Sequence, residues 1–158
     1  MGEEILLKSM TPEMYHEFFR EYQNDMDLYL DKNEFFEYVY DKSKVDAYIQ
    51  RQIELNRLPF AIMLGNDIVG ELKIYDIVKG ESATLGITMK NKDYKDRGFG
   101  TRAEQLAIEY VFYQLDIPVL YADSVITNTR SQHVLEKVGF QLIYADEQRK
   151  HYKITRSL

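Results

Sequence analysis

The sequence predicts an α/β fold in one domain, with helices on both faces of a mixed sheet. Three observations predict it. Stretches whose apolar residues alternate, or run unbroken for a few positions, interchange with stretches whose apolar residues recur every three or four. Gly, Pro and Asn turn signals fall between them. The 158 residues suit one domain with one core.

The elements follow in order. Glu4–Ser9 alternates as a first strand. Thr11-Pro12-Glu13 starts a helix, with Thr11 as N-cap and Pro12 at the first helical position. Tyr15, Phe18, Phe19 and Tyr22 then recur at helical spacing. From Glu21 to Asp46 the chain is acidic and aromatic, with eight Asp or Glu against three Lys. A second helix is expected over Ser43–Asn56, burying Val45, Tyr48, Ile49 and Ile53. Phe60–Leu64 and Ile68–Ile77 read as a hairpin about the turn Gly65-Asn66-Asp67. A second turn at Lys79-Gly80-Glu81 leads into the strand Ala83–Met89. Thr101–Leu115 is an amphipathic helix with Ala103, Leu106, Ala107 and Tyr110 on one face. Pro118–Val125 is a buried strand. Asn128–Val138 is a helix stopped by Gly139. Phe140–Ala145 and His151–Ile154 are the last two strands. That order is strand, two helices, three strands, helix, strand, helix, two strands.

Composition narrows the function. No apolar run approaches the roughly 20 residues needed to span a bilayer, and Met1-Gly2-Glu3-Glu4 lacks the features of a signal peptide. A cytoplasmic location and no membrane partner are expected. With no cysteine, neither disulfides nor a thiol nucleophile are available. The formal charge of -6 argues against a nucleic-acid partner. His16, His133 and His151 have no metal spacing, so no metal is assigned.

The chemistry-bearing motif is Lys95-Asp96-Arg97-Gly98-Phe99-Gly100-Thr101, between a strand and an amphipathic helix. The two glycines let a ligand approach the backbone closely. The helix start offers free N–H groups and a positive dipole end, which suits a phosphate or diphosphate. Lys95, Arg97 and Arg102 add cations. A Walker ending is absent. Gly98-Phe99-Gly100-x-x-Ala103 fits a dinucleotide fingerprint with Asp123 downstream, but a charged loop precedes it instead of a buried strand. Taken alone, the motif reads equally as a glycine turn before a helix.

A second segment, Asn128-Thr129-Arg130-Ser131 running to Leu135-Glu136-Lys137-Val138-Gly139-Phe140, accompanies it. Together the two resemble the GNAT superfamily of N-acetyltransferases. Its cofactor loop reads Arg/Gln-x-x-Gly-x-Gly/Ala, with Lys95 here in first place, and its second motif reads Asn-x-x-Ser/Ala…Glu-Lys-x-Gly-Phe. The form of the second motif is most similar to the ribosomal-protein N-acetyltransferase branch. The resemblance implies a mixed, mostly antiparallel sheet of about seven strands with about four helices, splayed at the acetyl-CoA site.

It also implies roles. The backbone of Ile87, Thr88 and Met89 would pair with the pantetheine arm like an added strand, an N–H near Met89 facing the thioester carbonyl. Lys95, Asp96, Arg97, Gly98, Phe99, Gly100 and Thr101 would form the diphosphate cradle. Asn128 would bond the arm, or serve only as an N-cap. Ser131 is the first candidate for protonating the leaving thiol, the usual tyrosine position being Leu135; it reads also as a first-turn serine bonding local backbone. The usual strand glutamate is Thr84, so Glu71 and Asp123 are substitute bases. Both read also as solvated or paired carboxylates. Tyr121 and Tyr144 are candidates to line the site.

The expected reaction is direct acetyl transfer from acetyl-CoA to a primary amine, with no metal. The carboxylates and aromatics of 21–46 suit a cationic small molecule or a basic peptide N-terminus; an acidic surface loop anchored by aromatics is the plainer reading of the same residues. Two alternatives stand beside this: a catalytically silent acetyl-CoA-binding protein, and a dinucleotide-binding enzyme. A monomer or homodimer is compatible with the sequence.

Overall fold

The computed structural model describes residues 4–157; the acidic start at 1–3 lies outside them. The strands are β1 (Ile5–Ser9), β2 (Leu58–Leu64), β3 (Asp67–Val78), β4 (Ser82–Met89), β5 (Val119–Val125), β6 (Gln141–Ala145) and β7 (Arg149–Thr155). The helices are α1 (Pro12–Glu21), α2 (Lys42–Glu54), α3 (Phe99–Glu109) and α4 (Thr129–Val138). Their order along the chain is the expected one.

Local chemistry sets the helix starts. Thr11 Oγ1 accepts from the Met14 amide at 3.2 Å, with Pro12 opening α1. Asp41 caps α2 by accepting from the Lys44 amide at 3.1 Å. Asn128 caps α4 through its side-chain oxygen, 3.1 Å from the Ser131 amide. At the other end of α4, the amides of Gly139 and Phe140 bond back to Glu136 and Leu135, closing the helix. The third helix departs from expectation. It starts at Phe99, two residues early, and becomes a π-turn over Tyr110–Gln114, in which Leu115 N–H reaches back to Tyr110. The added residue per turn lets Val111, Phe112 and Ile117 all bury.

The sheet order is β1-β2-β3-β4-β5-β7-β6. All neighbours are antiparallel except β4 and β5. That parallel pair is joined only at Ser82–Val119, Ala83–Leu120 and Thr84–Tyr121. Beyond Thr84 the two strands diverge, and Leu85–Met89 and Ala122–Val125 have no partner across the gap. On one face Ile62, Leu72, Ile74, Leu85 and Leu120 pack under α3 and α4. On the other, Ala61, Met63 and Ile68 pack against Tyr15 and Phe18 of α1 and Val45 of α2.

This second face also buries a charge. Glu71 on β3 is 4% exposed. Its carboxylate accepts from Tyr15 Oη at 2.5 Å and from Tyr48 Oη at 2.8 Å, while Lys73 Nζ donates to Tyr48 Oη at 3.0 Å. Burial first, and then the Glu71 charge, push both phenols far above the ordinary tyrosine range, so they stay protonated as donors. Removing one donor strips a buried carboxylate of a charge-assisted bond, which costs about 2 kcal/mol. Tyr15→Phe is therefore expected to lower Tm by roughly 4–8 °C. A Tm within about 1 °C of wild type in a thermal melt would contradict this arrangement.

Candidate active site

The gap between β4 and β5 is the mouth of a cleft of about 1180 Å³, somewhat above the usual range for small-molecule sites. Its walls are Leu85–Met89 on one side and Ala122–Val125 on the other. In strands so parted, alternate N–H and C=O groups face the opening instead of a neighbouring strand. The cleft ends at the start of α3 and is closed on its far side by α4.

The glycine loop turns into α3 at Gly98, whose φ of +80° is the left-handed conformation that favours glycine. Gly98 supplies no side-chain cap. The amides of Gly98, Phe99, Gly100 and Thr101 make no hydrogen bond among the described residues, and the first to enter the helix ladder is Arg102, to Gly98 O at 3.1 Å. A Cβ at Gly98 or Gly100 would meet nothing within 4 Å. The loop thus presents a row of unspent donors at a positive helix end, with open space on the side-chain positions of its two glycines. Phe99 fixes the row: its ring is 7% exposed and sits in the core beside Tyr94, with the Arg97 guanidinium stacked over it at 4.7 Å.

Side chains at the loop end are partly committed to one another. Lys95 is ion-paired with Asp25. Arg130 bridges Asp96 at 3.1 Å and Asp27 at 3.2 Å. The chain as a whole is net acidic, yet the cleft is lined by seven Lys or Arg against five Asp or Glu. A polyanionic ligand is favoured there.

Of the residues expected at the site, the cleft brings together Ile87, Thr88, Met89, Lys95, Asp96, Gly98, Gly100, Thr101, Asn128 and Ser131. Arg97 and Phe99 are not among the residues that line the cleft; the exposed Arg97 guanidinium stacks on the Phe99 ring, which is buried in the core. Arg102 is exposed and off the cleft. The oxygen of Asn128 is spent on its capping bond, which leaves its amide nitrogen for the cleft. Ser131 donates its N–H to that cap, and its hydroxyl does not bond local backbone. Met89 closes β4 at the loop end, and Leu85–Ile87 lie nearer the fork at Thr84.

Glu71 and Tyr121 do not line the cleft. Glu71 is held among the phenols described above. Tyr121 is 40% exposed, beside Thr84 and Lys153 on the sheet. Tyr144 also stays outside the cleft, stacked on His151 at 4.2 Å. Asp123 does line it, ion-paired with Arg149.

The acidic segment takes a different part from the one expected. Asp25, Asp31 and Asp41 are caps, Glu21 pairs with Lys90 at 2.8 Å, and Asp46 pairs with Lys42 and His16. Only Asp25 and Leu28 of this segment reach the cleft. Its aromatics, Tyr22 and Tyr38 with Phe19 and Tyr48, pack on one another. Two of these carboxylates, Asp25 and Asp27, hold the segment to the loop and to α4, while Glu34 and Glu37 stay exposed.

Two features escaped the sequence reading. Arg130 joins the loop, α4 and the α1–α2 connection, and nothing local marks that. Glu104 on α3 lies in the cleft wall while 2% exposed. Its signal was available: it follows Gly100 by four residues and sits between the buried Ala103 and Ala107. Among the described residues, no group of three or more His, Cys, Asp or Glu is placed to hold a metal, and no helix is long and apolar enough to cross a membrane.

Comparison with known proteins adds to the geometry. The family model for the acetyltransferase (GNAT) domain matches residues 4–141. A probable N-acetyltransferase of Bacillus subtilis (strain 168), YjcK, is 26% identical over 103 residues. That match spans 63% of this chain and 56% of YjcK. Among solved structures, a spermidine N-acetyltransferase from Vibrio cholerae with CoA and spermine aligns with TM-score 0.73 at 17% identity, covering 96% of this chain and 95% of that one. RimL, a ribosomal-protein α-amino acetyltransferase in complex with coenzyme A, aligns with TM-score 0.77 at 16% identity, over 96% and 93%. At these identities the two structures establish likeness of fold.

Proposed function

Because this chain belongs to the GNAT acetyltransferase family, we propose that it transfers the acetyl group of acetyl-CoA to a primary amine. One observation carries the reading: four consecutive amides, Gly98 to Thr101, stand unspent at a helix N-terminus where a forked sheet opens. They fit a diphosphate, and the parted edges of β4 and β5 fit the extended arm behind it. Bound there, the donor supplies an activated acetyl thioester.

The chain's own groups do the rest. Backbone N–H groups of Leu85–Met89 that face the gap stabilise negative charge on the carbonyl oxygen. The Ser131 hydroxyl, on the first turn of α4, delivers a proton to the departing sulfur and regains one from water in the cleft. An ammonium is not a nucleophile, so the acceptor must lose a proton. Asp123, the cleft carboxylate carried by β5 at the edge of the gap, takes that proton through water; Glu71 is enclosed by its phenols. The acceptor class is a small polyamine or a peptide α-amine, in keeping with the proteins of like fold.

The test is acetyl-CoA-dependent thiol release against polyamines, aminoglycosides, amino acids and basic peptides. Turnover with at least one amine class is expected. Acetyl-CoA binding without any acetylation would leave a silent binding protein, and thermal stabilisation by NAD but not by CoA would refute the reading.

A further inference from the structure

The cleft has one polar group that the proposed reaction leaves unused. Glu104 stands four residues after Gly100, so the two stack on one face of α3 about 6 Å apart along its axis. Glu104 is 2% exposed and forms part of the cleft wall together with Leu85, Ala122 and Leu135. No hydrogen bond or ion pair to it exists among the described residues, and burial is the single influence on its titration. A buried carboxyl without a partner is costly, and in native folds such groups have partners.

We propose that Glu104 is a binding residue for the pantetheine arm of acetyl-CoA, its carboxyl group hydrogen-bonding an amide of the arm from the floor of the cleft. The inference rests on the function proposed above. If the diphosphate lies on the amides of Gly98–Thr101, the next turn of α3 lies beneath the chain that follows it. The arm carries secondary amides, which offer both a carbonyl acceptor and an N–H donor. Burial pushes the carboxyl up to about 8, so at neutral pH it is mostly protonated and can donate. The neutral form also avoids placing a second negative charge one turn from the diphosphate.

The elements packed against α3 bring little charge to this point. β4 carries no titratable side chain, and β1 carries only the exposed Lys8. The cleft-lining charges of α4 are Arg130, His133, Glu136 and Lys137. None of them contributes to the Glu104 shift. Bound donor is the added charge, and it raises the Glu104 pKa further.

The experiment is calorimetric titration of acetyl-CoA into the full chain, as wild type, Glu104→Gln and Glu104→Leu, at pH 6.5 and pH 9. Wild-type affinity is expected to fall by about tenfold over that range, as the donor hydrogen is lost and a charge appears. Glu104→Gln keeps shape and hydrogen bonding; it should bind within about threefold of wild type at pH 6.5 and lose less than about threefold by pH 9. Glu104→Leu should bind at least about tenfold more weakly at pH 6.5. At pH 8, heats in buffers of different ionisation enthalpy should show the wild type taking up roughly half a proton more than Glu104→Gln. Equal affinities and equal pH profiles for wild type and Glu104→Gln, with no difference in proton uptake, would overturn the inference and leave the acetyltransferase reading intact. Failure of every form, wild type included, to bind acetyl-CoA would overturn both. Should Glu104→Leu not fold, the wild-type and Gln comparison still decides.

Discussion

Gly100→Asp is expected to abolish acetyl-CoA binding while leaving the free protein at least as stable. A Cβ at this cleft-lining position meets no atom within 4 Å, so the fold has room for the side chain. The backbone there is helical and has no positive φ to lose. Replacing a helical glycine and adding a carboxylate to the first turn of α3 both favour the helix, together by about 1 kcal/mol. The same carboxylate stands among the amides of Gly98–Thr101, where it takes up donors meant for the diphosphate and repels it. The expected loss of affinity is at least about 100-fold, or roughly 2.7 kcal/mol. Titration with acetyl-CoA measures the first effect and a thermal melt the second. A dissociation constant within about threefold of wild type would place the diphosphate elsewhere and remove the main support for the proposed function.

Legibility in the sequence followed the range of the interactions involved. Thr11-Pro12 and Asn128…Gly139 carry their helix ends within a few residues, and both were readable as they stand. The alternating strands were readable to within about two residues for the same reason. The fork between β4 and β5 was not derivable from pattern, because it depends on where pairing stops between Thr84 and Tyr121, with a loop and a helix between them. Only the resemblance of the two motifs pointed to it. The acidic segment was readable as acidic but not as paired: Asp25 and Asp27 find Lys95 and Arg130, partners remote in the chain. Glu71 was placed on the correct strand, yet its phenol partners come from α1 and α2, which no local pattern links to β3. Glu104 was hidden because the expected face, correct at Ala103 and Ala107, was continued through Leu106 and Tyr110. The buried stripe instead runs through Phe99, Ala103, Glu104, Ala107 and Ile108.

Glu104→Gln is expected to stabilise the free protein, by an amount that depends on pH. The folded state raises the Glu104 pKa from 4.5 to about 8. Between those values the native protein holds a proton that the unfolded chain releases, so wild-type stability falls as pH rises through this window. Below about pH 4.5 both states are protonated and the cost vanishes. Above about pH 8 the carboxylate is charged in both states and the cost is complete, on the order of 5 kcal/mol. Glutamine has no such titration. The Tm difference between variant and wild type should therefore be near zero at pH 4.5 and grow to roughly 10–20 °C above pH 8. Melts at half-unit intervals from pH 4.5 to 9 would trace it. A flat difference would mean that the carboxylate already has a partner in the free protein, a bound ion or ordered water. A carboxyl that weakens the empty fold and has no hydrogen-bond partner among the described residues fits a partner that arrives with the ligand, and the pH-dependent rise in Tm measures how incomplete the cleft is without one.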